Sequence, residues 1–91
     1  MRRGGQAPEW WNEEELKALS ARVVRLAPND VAANNMRAQV LSGVCFGDRS
    51  AAELNEAAAH YERTAALCPA QAGKAHFAAL AALCRRVAEA M

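Results

Sequence analysis

Apolar residues recur along this chain at spacings of three and four, the period of one helix face and not of a strand. The clearest stretch is SAAELNEAAAHYERTAALCP, residues 50–69, in which Leu54, Ala57, Ala58, Tyr61, Ala65 and Cys68 share a face. Ser50 and Glu53 make S-x-x-E at its start, a capping box in which each side chain satisfies an otherwise unpaired amide. Pro69 ends the helix, because it has no N–H and disfavours α geometry in Cys68 before it.

The same pattern predicts three more helices. Residues 1–8, with Gly4, Gly5 and Pro8, predict a disordered leader, and residues 9–91 one small domain. The first helix begins at Asn12, with Asn12 and Glu15 as capping pair and Trp11 and Leu16 as hydrophobic staple. Glu13, Glu14 and Glu15 complement the positive end of its dipole, and Arg22 and Arg25 the negative end. Leu16, Leu19, Val23 and Leu26 form its apolar seam. Pro28–Asn29–Asp30 breaks the chain and caps a second helix from about Asp30 to Ser42. Its stripe is thinner: Val31, Met36, Ala38, Leu41 and Val40, with Asn34 and Asn35 as weak helix formers. Gly43 is placed to close it, and residues 43–49 form a loop with Val44, Cys45 and Phe46 at its centre. The fourth helix runs from about Ala70 to Ala90, with Phe77, Leu80, Cys84, Val87 and Met91 on one face and Leu83 beside it. The fold class is all-α, and short connections predict antiparallel neighbours.

Composition narrows the picture. Of the 91 residues 53% are apolar but only 5% aromatic, so alanine supplies much of the apolar count. Alanines let helices approach closely yet each contributes little transfer energy, at ~0.8 kcal/mol per buried methylene. The net charge of +1 provides no field to attract nucleic acid or an anionic membrane, and Arg2–Arg3 and Arg85–Arg86 are isolated pairs. No apolar run approaches the ~20 residues that cross a bilayer. Two arginines with no apolar run behind them make a poor signal peptide. Three cysteines, an odd number with no close pair, argue against a disulfide framework and for a reducing, cytoplasmic setting.

Reaction chemistry is sparse. His60 and Tyr61 with Cys45 or Cys68 suggest a metal or thiol site only until spacing is considered: C-x2-C and H-x3-H are absent, and zinc needs four converging ligands. His76 and Cys84 share a helix face but are two ligands, not a site. Cys68 and Cys84 fit buried apolar positions, which leaves Cys45 as the candidate reactive thiol. Glu13–Glu15 point in different directions around a helix. With no phosphate-binding glycine loop and no nucleophile–base arrangement, the chain is expected to be no enzyme and to carry no cofactor or metal. Trp10–Trp11 is read as a staple and core cap, or as an exposed anchor for a partner.

The third helix resembles the second helix of a tetratricopeptide (TPR) repeat, with Ala57, Tyr61, Thr64 and Pro69 at that family's offsets. Leu26–Ala27–Pro28 and Leu67–Cys68–Pro69 repeat one helix ending 41 positions apart, against ~34 in an ordinary TPR. The loop 43–49 accounts for the excess, and such a loop also resembles Sel1-like repeats. The family's first-helix motif falls on Asn34, Arg37–Ala38 and Leu41, and on Ala75, Ala78–Ala79 and Ala82; Ala38, Ala79 and Leu41 are in keeping with it. The resemblance implies an α-solenoid fragment of stacked helix hairpins that binds a peptide or partner protein on its concave face. The groove positions it implies are Asn35, Gln39 and Ser42, and His76, Leu80 and Leu83. The alternative is a structural bundle that forms a homo-oligomer through the uncovered faces of its first and last helices.

Overall fold

A computed structural model describes residues 13–44 and 50–91 of the chain. They form four α-helices, α1 (Glu13–Leu26), α2 (Val31–Gln39), α3 (Ala51–Leu67) and α4 (Gln71–Glu89), with a π-helical turn, Val40–Val44, continuing α2. There is no strand among the described residues. Packing follows chain order: α1 lies on α2, α2 on α3, and α3 on α4, the last pair most extensively. The leader, the Asn12 cap, the Trp10–Trp11 pair and the Cys45 loop fall outside the described residues.

The third helix forms as its pattern predicts. Ser50 Oγ accepts the Glu53 amide at 3.0 Å while Glu53 Oε1 accepts the Ser50 amide at 3.1 Å, closing the capping box. Leu54, Ala57, Ala58, Tyr61 and Cys68 are buried along the expected face. Thr64 is buried with them, its hydroxyl satisfied by the His60 carbonyl at 2.8 Å. Ala38, Ala57, Ala58 and Ala81 have almost no exposed surface, so backbone-close contact between alanines joins α2, α3 and α4. Leu41, Tyr61 and Cys84 complete that core, with Phe77 and Leu80 packed against it.

Three expectations need correcting. The α1 seam is rotated: Leu19 is 48% and Leu26 79% exposed, while Ser20 is wholly buried between half-buried Leu16 and Val23. The reason is polar. Arg37 of α2 reaches across to Ser20 Oγ at 3.0 Å and to the Lys17 carbonyl at 2.9 Å, and a small hydroxyl admits the guanidinium where leucine would exclude it. On α4 the inward positions are Ala81, Cys84 and Ala88, so Val87 and Met91 are exposed and Leu83 stays half-exposed. Close approach to α3 selects alanine over the larger side chains of the same helix. Finally, α2 does not close at Gly43. The chain passes at Val40 into a π turn that contains Gly43, and a π turn carries one more residue per hydrogen-bonded ring than an α turn.

Asn34 and Asn35, read as weak helix formers, differ in fate. Asn34 is wholly buried and its amide donates to the carbonyls of Pro28 and Asp30 at 3.0 and 2.9 Å. Asp30 caps the helix, its carboxylate accepting the Ala33 amide at 2.8 Å.

Candidate docking groove

A cleft of about 130 Å³ opens among the π turn, α3 and α4. Ser42 of the π turn forms one wall, and Leu54 and Tyr61 of α3 form the floor. Leu80, Leu83 and Val87 of α4 line the other wall, with the Cys84 thiol below them. Their spacing of three and four sets these leucines and the valine on one flank of the helix. Leu83 is 50% and Val87 39% exposed, so the cleft has an apolar lip that no other described helix covers.

Two hydroxyls mark its polar end. Ser42 Oγ and Tyr61 Oη lie 3.3 Å apart, within hydrogen-bond distance. Tyr61 is held in turn by its ring, which stacks on Phe77 with centroids 6.2 Å apart. Among the described residues no carboxylate, ammonium or guanidinium group lines the cleft. On α4 the Arg85–Glu62 pair, at 2.7 Å, lies almost opposite Leu83 around the helix, while exposed Arg86 is one turn from Leu83. The site therefore favours an uncharged apolar group with one hydrogen-bonding end. Its size suits a single side chain or small ring, since an apolar cavity of ~150 Å³ accepts benzene.

Of the six positions implied for a concave face, the structure brings Ser42, Leu80 and Leu83 together here. Asn35 and Gln39 stand apart on α2, the Gln39 amide donating to Asn35 Oδ1 at 3.3 Å. His76 is exposed one turn before Leu80 and sits edge-on to Phe77 at 5.1 Å. Leu54, Tyr61, Cys84 and Val87 line the cleft although their pattern reads as core, and periodicity alone carries no signal that separates the two.

A second cluster joins α1, α2 and α3. Arg37 Nε and Nη2 contact Glu56 Oε2 at 3.1 and 3.0 Å, and His60 bridges Glu56 and Asn34 at 3.3 and 3.1 Å. Lys17 pairs with Glu53, and that hydrogen bond holds the Glu53 carboxyl below the usual glutamate range. Burial pushes the other way, and the Ser50 backbone amide assists the lowering. Among the described residues no group of three histidine, cysteine or acidic side chains is placed to hold a metal ion, and no helix is long and apolar enough to cross a membrane. Cys68 and Cys84 are both buried. No protein-family model, curated protein or solved structure matches this chain.

Proposed function

We propose that the chain is a TPR-like helical scaffold that binds a peptide segment of a partner protein, seating one apolar side chain in the cleft between the π turn and α4. The observation that carries this is the half-exposed lip of Leu83 and Val87 beside Leu80, joined to the Ser42–Tyr61 hydroxyl pair. An apolar pocket with a fixed polar group is the usual anatomy of a side-chain-binding site. The hydroxyls would take the peptide's backbone or a polar neighbour of the anchor. Asn35 and Gln39 on α2 and His76 on α4 would extend the contact. The alanine-lined stack would supply the rigid frame, and no reaction chemistry is assigned.

Selection from a displayed random-peptide library tests this, with Leu83→Glu as the counter-selecting bait. Enriched peptides should share an apolar anchor, fail to bind Leu83→Glu, and perturb the amide signals of Ser42 and Leu80–Val87 in the wild type. Peptides that bind both baits equally, or that perturb other surfaces, would remove the groove from the proposal.

One observation favours a second reading, self-association. Among the described residues the exposed large apolar side chains are Leu19 and Leu26 on α1, Leu83 and Val87 on α4, and Met91 just past its end. Light scattering separates the readings, because an obligate dimer insensitive to Leu83→Glu leaves the cleft unused, whereas a concentration-independent monomer leaves it open.

A further inference from the structure

Among the described side chains of α1 only Ser20 is buried, and the helix contributes no apolar side chain to the buried core. Leu19 and Leu26 face outward, while Leu16, Val23 and Val24 are half-buried. Hydrogen bonds and an ion pair tie α1 to the rest of the stack. The Arg37 guanidinium donates to the Lys17 carbonyl and to Ser20 Oγ, Ser20 Oγ itself donates to the Lys17 carbonyl at 3.0 Å, and the Lys17 ammonium pairs with Glu53 at the start of α3. The corner at the other end of α1 is fastened separately. The Pro28 carbonyl accepts from the buried Asn34 amide at 3.0 Å and from Arg63 at 3.2 Å, tying the linker to both α2 and α3.

We propose that α1 is a hinged flap: it opens as a unit about the fastened Pro28 corner when the latch of Arg37 and Lys17–Glu53 releases, while α2, α3 and α4 stay folded. Elements with few buried apolar contacts open at free energies well below that of global unfolding. The latch is also screenable, since the Lys17 and Glu53 side chains keep 23% and 26% of their surface in water. Its salt response distinguishes it from ordinary apolar docking, which sodium chloride does not weaken through charge screening.

Hydrogen exchange on the full chain reads the opening directly. Amides of residues 21–24 should exchange at least ~10-fold faster than those of residues 58–61 in α3, without denaturant. Raising sodium chloride from about 0.05 to about 0.5 M, which shortens the screening length severalfold, should accelerate α1 further, and by more than it accelerates α4. Arg37→Met and Glu53→Gln should each reproduce that acceleration. Glutamine still completes the capping box, so Glu53→Gln removes the charge with α3 intact and decides the matter if Arg37→Met does not fold. A single exchange rate common to α1 and α3 would overturn the proposal. So would α1 rates indifferent both to salt and to Glu53→Gln.

Discussion

Asn34 donates its side-chain amide to the carbonyl of Pro28 at 3.0 Å, from a position with no exposed surface. Donation to Asp30 as well fixes the amide's orientation, which turns Oδ1 toward His60 Nδ1 and makes that ring nitrogen the donor. One buried polar side chain thus holds the corner between α1 and α2 and joins it to α3. Asn34→Ala leaves the Pro28 carbonyl to Arg63 alone and His60 Nδ1 without its acceptor. The expected loss is about 1–3 kcal/mol, the cost of stranding buried polar groups. Asn34→Asp should be worse, because an acceptor then faces two carbonyls. Urea midpoints followed by circular dichroism check both.

Stability should fall in acid, and Glu53 should account for a visible part of it. Its folded carboxyl titrates below the ordinary value of 4.5, through the Lys17 hydrogen bond first. A depressed folded pKa contributes stability above the unfolded value, and that contribution disappears as pH falls through the folded value. Glu62 is lowered likewise by Arg85, but that pair is about half exposed and screened by water, so its share is smaller. Urea midpoints measured downward from pH 4.5 should decline less steeply in Glu53→Gln than in wild type, with Glu62→Gln intermediate.

Helix existence was legible where local chemistry decides it. The Ser50–Glu53 box and Pro28 and Pro69 act within a few residues, and the ends of α1 and α3 fall where they require. Facing was less legible, because it depends on the neighbour. Leu26 and Ser20 exchange roles on α1 since the opposing surface carries Arg37, and no periodicity within α1 records that. Likewise Val87 and Leu83 are as apolar as Cys84, but only tertiary packing decides that α4 turns Ala81 and Ala88 inward and Leu83 and Val87 to the cleft. Ser42 is a groove position that the TPR resemblance implies, yet its distance to Tyr61 comes from the π turn, which has no signature in VLSGV.

Tyr61 has two separable tasks. Its ring packs in the core among Ala57, Ala58, Ala81 and Cys84, and its hydroxyl meets Ser42 at the cleft. Tyr61→Phe should therefore cost only about 0.5–1.5 kcal/mol, a hydrogen bond's net worth. It should also weaken any anchored peptide more than it weakens the fold. Tyr61→Ala should cost about 3–5 kcal/mol, as aromatic truncation in a core does. Urea titration gives the stabilities, and peptide affinity for the phenylalanine variant separates the hydroxyl's two uses.

Gly73, in the first turn of α4, is where that helix comes nearest to the end of α3. A Cβ added there would lie 3.3 Å from Cys68 Sγ, tighter than ordinary packing, and in ordinary contact with Cys68 Cβ at 3.5 Å. Alanine is favoured over glycine in a helix interior by about 1 kcal/mol. Here that gain is opposed by a buried sulfur with little room to retreat. Gly73→Ala alone should consequently leave stability within about 0.5 kcal/mol of wild type, the usual bound for a substitution with no net packing change. With Cys68→Ala already in place the sulfur is gone, and the same substitution should stabilise by about 0.5–1 kcal/mol, as a strain-free glycine replacement does. A double-mutant cycle in urea reads the difference as a coupling energy. A coupling of zero would mean that the two helices are held apart by something other than this contact.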